Sequence, residues 1–192
     1  MKILSYPKIY NMGHSAIRNL FLDDVIIEEK VDGSQFSFMR VVGKLECKSH
    51  HASVYLEDTT SMFKKAVDTV KKLEPILNPS FVYRCEYLSK PKHNTLIYDR
   101  VPKDYLIIFD KNVYEQPETY LSYEDKLREA ERLGLECVPL LHSGKFKGYD
   151  EFCTLLDTVS ILGGSNIEGV VIKNYYRFGR DGKALNGAKT SI

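Results

Sequence analysis

Lys30-Val31-Asp32-Gly33 sets an amine, a carboxylate and a glycine within four residues. They follow directly on the apolar and acidic run Val25-Ile26-Ile27-Glu28-Glu29. In an extended chain Lys30 and Asp32 share a face. Gly33 would let the backbone turn and come close to a bound ligand. A turn of this kind can present a nucleophilic amine beside an acid. Alone, a K-x-D-G tetrapeptide arises by chance and commonly closes a hairpin, so its meaning depends on what else the chain carries.

Three further segments carry charge at the edges of apolar strands. Phe81-Val82-Tyr83-Arg84-Cys85-Glu86-Tyr87-Leu88 holds one acid, Glu86. Tyr105-Leu106-Ile107-Ile108-Phe109-Asp110 ends in an aromatic and a carboxylate. Glu168-Gly169-Val170-Val171-Ile172-Lys173 has an acid at one end and a base at the other. In this order, with Lys30-Val31-Asp32-Gly33 first, they resemble motifs I, III, IIIa and IV of the covalent nucleotidyltransferases, the superfamily of polynucleotide ligases and mRNA capping enzymes. The nearer resemblance is to ATP-dependent RNA ligases of the phage and viral kind. It rests on Tyr6-Pro7-Lys8-Ile9-Tyr10, on Glu28 through Phe36, and on Lys90-Pro91-Lys92-His93-Asn94-Thr95-Leu96 through Tyr98-Asp99-Arg100-Val101-Pro102.

The resemblance implies an α+β nucleotidyltransferase fold, with antiparallel sheets flanked by helices around a nucleotide cleft. It implies ATP and magnesium or manganese as cofactors. Lys30 would attack the α-phosphorus of ATP and store AMP as a phosphoramidate. Lys173 and Lys189 would be the catalytic cations beside the phosphates. Lys183 is a rival to Lys189, because Ser191 stands where such families show a second lysine. Glu29, Lys48, Glu86, Phe109 and Val171 would bind the nucleotide, Glu86 at the ribose, Phe109 and Val171 on the two faces of the adenine. Asp32, Asp110 and Glu168 would hold hydrated metal. The partner implied is RNA with 5′-phosphate and 3′-hydroxyl ends, with DNA as the alternative. A non-catalytic nucleic-acid-binding module is the reading from another class.

An unperturbed lysine amine has a pKa of about 10.4, so roughly one in two thousand is neutral at pH 7. Lowering that value by about three units takes on the order of 4 kcal/mol, which nearby cations and a metal can supply. Hard carboxylate oxygens suit magnesium, which keeps much of its water and bridges to phosphates.

The elements that must position these groups are legible in the periodicities. Val25 to Glu29, Phe36 to Val42 and Leu45 to Lys48 read as strands, the last two joined by a turn at Val42-Gly43-Lys44. Asp58 to Leu73 reads as a helix with Met62, Phe63, Ala66, Val67, Val70 and Leu73 on its apolar stripe. Strands are expected at Phe81 to Leu88 and Tyr105 to Asp110, with a long functional loop between them. Ser122 caps a helix that ends at Gly134. A short strand over Leu135 to Leu141, a helix from Tyr149 to Leu162 and a strand from Glu168 to Asn174 complete the expected order. In that helix Phe152, Leu155, Leu156 and Val159 share a face. Arg177, Arg180, Lys183 and Lys189, interleaved with Tyr176 and Phe178, form a basic aromatic tail suited to a phosphate backbone and stacked bases.

The 192 residues are 43% hydrophobic and 28% charged, which is the composition of a soluble globular domain and excludes a disordered chain. The net charge is +1, so a nucleic-acid partner must be argued from local clusters. One nucleotidyltransferase domain over 1–192 is expected, with no room for a C-terminal accessory domain. No long apolar run or signal-peptide pattern occurs, so a cytoplasmic protein is expected, in a host cytoplasm if the source is a phage or virus, with the nucleus as the alternative in a eukaryotic host. A monomer is expected. Cys47, Cys85, Cys137 and Cys153 form no C-x-x-C pair and read as reduced, mostly buried thiols. His50-His51 reads as part of a polar loop, since neighbours on a strand point to opposite faces.

Overall fold

Strand-forming β-branched and aromatic runs alternate with a few short amphipathic helices, and the chain folds accordingly into two sheets with helices on their faces. The computed structural model describes residues 2–58, 60–146, 149–178 and 184–191, with the side chains of 149–150, 177–178 and 184–191 excepted. In chain order the strands are β1 (Tyr10–Asn11), β2 (Val25–Lys30), β3 (Ser34–Val41), β4 (Lys44–Ser49), β5 (Ser53–Val54), β6 (Phe81–Tyr87), β7 (Leu106–Val113), β8 (Glu136–Cys137), β9 (Leu140–Gly144), β10 (Gly169–Phe178) and β11 (Ala184–Ser191). The α-helices are α1 (Lys64–Leu73), α2 (Tyr123–Leu133) and α3 (Tyr149–Leu156). The fold is α+β.

The chain divides into two compact units. One comprises 1–6, 33–95 and 100–137. Its six-stranded sheet runs β5-β4-β3-β6-β7-β8, antiparallel except for the β7–β8 edge. Phe36, Phe38, Cys47, Tyr83, Cys85 and Ile108 face α1 and α2 across one core. On the opposite face, Ile3 packs with Met39 and Val82. Arg84 is buried there, held by Asn112 Oδ1 at 3.0 Å, Ser37 Oγ at 3.2 Å and the Leu4 carbonyl at 2.9 Å.

The other unit comprises 7–32, 96–99 and 138–192, with a five-stranded sheet in the order β1-β11-β10-β2-β9. Val25 and Ile27 of β2 and Val170 and Ile172 of β10 meet Ile17, Leu20 and Phe152 in its core. By strand alternation, Ile26, Glu28 and Lys30 point to the sheet's other face.

Most expected elements are present, and the departures have local causes. The helix expected from Asp58 begins only at Lys64. Asp58 Oδ1 accepts from both the N–H and hydroxyl of Thr60, and Ser61 Oγ accepts the Phe63 N–H. These bonds offer the backbone a turn in place of a helical start. The single strand expected over Leu135 to Leu141 is two, β8 and β9, separated at Val138-Pro139 and belonging to different sheets. Proline cannot donate to a ladder, so pairing stops there. The helix expected to reach Leu162 ends at Leu156. Val159 bridges to Asn166 instead and is 63% exposed, off the apolar face assigned to it. Part of the expected basic tail is sheet: β11 pairs with β10 and β1. Arg180 and Lys183 lie outside the described residues, as do the side chains of Arg177 and Lys189. The cysteines are free thiols, three of them buried, and burial pushes the Cys47 thiol up to about 12.

Two glycines are required by crowding. A Cβ on Gly33 would lie 2.7 Å from the Tyr87 carbonyl oxygen and 2.8 Å from Glu86 Cγ, so the residue is needed for close approach to the end of β6. Gly164 has φ +79°, and its Cβ would lie 2.8 Å from Asp99 N and 2.9 Å from Ile97 O. Gly164→Ala is expected to cost about 2–4 kcal/mol, from overpacking plus a left-handed backbone, read as a lowered midpoint in urea unfolding.

Candidate functional site

The antiparallel register of β2 on β10 builds the site in the five-stranded unit. Lys30 lies across from Gly169, Glu28 from Val171 and Ile26 from Lys173. Gly169 has no side chain, so the Lys30 arm is free to cross toward Glu168, which immediately precedes β10. The two form an ion pair, each about one-fifth exposed. Two residues back on the same face, Glu28 pairs diagonally with Lys173 at 2.7 Å. That pair is almost wholly buried, with side chains 2% and 1% exposed. Lys30, Glu28, Val171 and Lys173 are thus gathered on one face, with Val171 half-buried among charged neighbours.

Glu29 points to the opposite side and is also buried. Its two carboxylate oxygens accept the Ser160 hydroxyl and the Ile161 N–H. Burial raises its pKa above the usual carboxylate value, and these two hydrogen bonds partly oppose the rise. Asp32 Oδ2 accepts the Leu96 N–H at 2.8 Å, and the Asp32 N–H donates to the Tyr98 hydroxyl at 2.8 Å. Lys189 stands at the β11 position across from Val171.

The six-stranded unit holds the remaining sequence-predicted residues. Lys48, Glu86 and Asp110 belong to the sheet face opposite the helices, set by the registers Lys48 with Ser37, Glu86 with Gln35 and Asp110 with Arg84. The Lys48 ammonium donates to the carbonyls of Ser49 and His50, both at 3.3 Å. Phe109 falls at an irregularity in the β6–β7 pairing, where the register shifts between Arg84 and Cys85. Its ring meets the Tyr6 ring edge-on at 5.1 Å, and its carbonyl accepts the buried Lys126 ammonium at 3.0 Å. Asp110 is fully buried and accepts the Tyr6 hydroxyl at 2.6 Å.

Among the described residues no three His, Cys, Asp or Glu side chains form a group able to hold a metal ion. Asp32 takes the Leu96 N–H, Asp110 takes the Tyr6 hydroxyl and Glu168 takes Lys30. Sequence reading gave no role to Tyr98, Ser160, Tyr6 or Glu28. A signal existed for Glu28 alone, an acid two residues before Lys30 and therefore on its face. Tyr98 and Ser160 reach the site from distant segments, which spacing does not reveal.

The chain matches the RNA ligase family model over residues 23–189. A search of curated protein sequences returned no match. Among solved structures it is similar to a Naegleria gruberi RNA ligase mutant with ATP and Mn, at TM-score 0.71 and 14% identity, covering 97% of this chain and 56% of that one. It is also similar to the Naegleria gruberi RNA ligase with pyrophosphate, at TM-score 0.63 and 16% identity, covering 98% and 58%. The chain therefore spans a little over half the length of these ligases, and the likeness at this identity is one of fold. No described helix is long and apolar enough to cross a membrane. With the family model covering most of its length, the chain belongs to the RNA ligase family.

Proposed function

We propose that this chain carries out the adenylylation chemistry of an ATP-dependent RNA ligase, with Lys30 as the residue that holds AMP and both units forming one nucleotidyltransferase domain. The observation that carries the reading is the Lys30–Glu168 ion pair, made by residues 138 positions apart, on a charged sheet face. Family membership supports it. So do the ligands bound by similar ligases, ATP with Mn in one structure and AMP with Mn in another.

The reaction follows from the chemistry of the groups. The Lys30 ammonium gives up a proton, and the neutral Nζ attacks the α-phosphorus of ATP. A P–N bond forms as the bond to the bridging oxygen breaks, and pyrophosphate leaves with that electron pair. The nitrogen then sheds a second proton. Once it carries AMP it is no longer cationic, so Glu168 loses its ion-pair partner. Next, an oxygen of the RNA 5′-phosphate attacks the adenylate phosphorus, the P–N bond breaks and Lys30 recovers its protons. Finally the RNA 3′-hydroxyl attacks the activated 5′-phosphorus, the phosphodiester forms and AMP departs. Positioning and neutralisation of phosphate charge supply most of the acceleration.

Glu168, a partly exposed hard oxygen donor, suits magnesium, with Asp32 as a second acid in the same unit. Asp110 is the third proposed acid; it is buried and accepts the Tyr6 hydroxyl, a bond it would have to exchange for the ion's water shell. A bound divalent ion would neutralise charge on the phosphates. Glu86 and Phe109 are the proposed contacts to ribose and adenine, Lys48 a phosphate or ribose contact, and Val171 an apolar contact to the base. Glu29, with both oxygens engaged, would reach a nucleotide only through its backbone. Lys189 is the proposed second cation.

Incubation with α-labelled ATP and magnesium is expected to leave acid-stable label on the wild type and none on Lys30→Ala. Absence of label on the wild type, or equal label on both, would defeat the reading. Lys173 offers a separate check. Removing one partner of a buried ion pair strands the other, at a cost of about 3–5 kcal/mol. Lys173→Ala should therefore show a large drop in thermal stability. A variant as stable as the wild type, with only a raised ATP requirement, would mean that Lys173 serves the phosphates and not Glu28.

A further inference from the structure

One short stretch of chain fixes the turn that follows Lys30. In the five-stranded unit the Tyr98 hydroxyl accepts the Asp32 N–H, and the Leu96 N–H donates to the Asp32 carboxylate, each at 2.8 Å. Tyr98 is 3% exposed, so its hydroxyl is a fixed acceptor. The stretch is itself seated: the Asp99 N–H donates to the Leu162 carbonyl at 3.2 Å, and Ile97 and Asp99 lie against Gly164. In the six-stranded unit the neighbouring residues of the same stretch hold the next two positions. Asn94 Nδ2 donates to the Gly33 carbonyl at 2.6 Å, and the His93 ring bonds the Ser34 hydroxyl at 2.9 Å.

These bonds matter because of where the ladders stop. β2 ends at Lys30 and β3 begins at Ser34, so 31–33 lie outside both strands. Within the five-stranded unit, two residues after Lys30, Tyr98 holds the Asp32 N–H and Leu96 holds the Asp32 carboxylate, with Val31 buried before them. A nucleophile whose backbone rotates by a small angle moves its amine far, and about 1 Å of misplacement can cost on the order of a hundredfold in rate.

We propose that Tyr98 is a positioning residue, which fixes the backbone after Lys30 and so aims its amine at the α-phosphorus. This rests on Lys30 being the adenylylated residue. Tyr98 acts through the Asp32 backbone, so the rate of the chemical step depends on it more than ATP binding does. Asn94 supports the same turn from an exposed position.

The test is single-turnover labelling with α-labelled ATP on wild type, Lys30→Ala, Tyr98→Phe and Asn94→Ala. Tyr98→Phe keeps the ring that fills the buried site and removes the acceptor. Its labelling rate constant at saturating ATP is expected to fall about 10- to 100-fold, with half-saturating ATP changed less than about threefold and the final labelled fraction retained. Asn94→Ala, whose exposed side chain makes misfolding no concern, should show the same split at about 3- to 10-fold. It decides the question if Tyr98→Phe fails to fold. The inference is overturned by rate constants within about twofold of wild type in both variants. A Tyr98→Phe protein that loses labelled fraction or melting temperature but keeps its rate constant overturns it too, in favour of a packing role. A raised ATP requirement at unchanged rate also overturns it. In each of these cases the wild type labels and Lys30→Ala does not, so the reading of Lys30 stands. An unlabelled wild type instead removes the reading on which the inference rests.

Discussion

The antiparallel pairing of β2 with β10 is the constraint on which the site depends. Its register sets Lys30 across from a glycine and next to Glu168, and it sets Glu28 one diagonal step from Lys173. Because side chains alternate with a period of two, a slip of one residue would send Lys30 into the apolar core and Ile27 out of it. Burial of Val25, Ile27, Val170 and Ile172 makes that slip costly. The same hydrophobic contacts that hold the sheet together therefore place the amine.

Charge on this face is held at two depths. Glu28 and Lys173 are removed from water and depend on each other, while Lys30 and Glu168 keep partial access to it. Desolvated pairs gain little net stability, but they tolerate no loss of one member, which makes them good pins of register. The partly exposed pair is the one that chemistry can break. On the proposed chemistry Lys30 switches between ammonium and phosphoramidate, which requires a partner that can let go of it, and Glu168 at the more exposed pair meets that requirement.

Much of this was legible in the sequence, and the misses share a cause. Lys30 and Glu168 sit at strand ends and Lys173 where charge closes an apolar run within β10, so their strands and faces could be read from alternation. Ser122 and Gly134 marked α2 by cap chemistry, and both act as caps. The burial of Asp110 under Tyr6 was not legible, because Tyr6 comes from the far N-terminus and nothing in the spacing ties the two together. The start of α1 and the end of α3 failed where side-chain hydrogen bonds or an isolated bridge competed with helix, effects that apolar periodicity does not register. Tyr98 was invisible as a partner of Asp32 because 66 residues separate them and neither carries a pattern that names the other.

The central claim is that one particular amine is the temporary carrier of adenylate. It is tested most directly by proteolytic mapping of the protein after treatment with ATP and magnesium, with mass spectrometry locating the adduct. The account predicts AMP on the side chain of Lys30 within the peptide that contains Glu28 and Asp32. An adduct confined to Lys173, Lys189 or any other residue would contradict it.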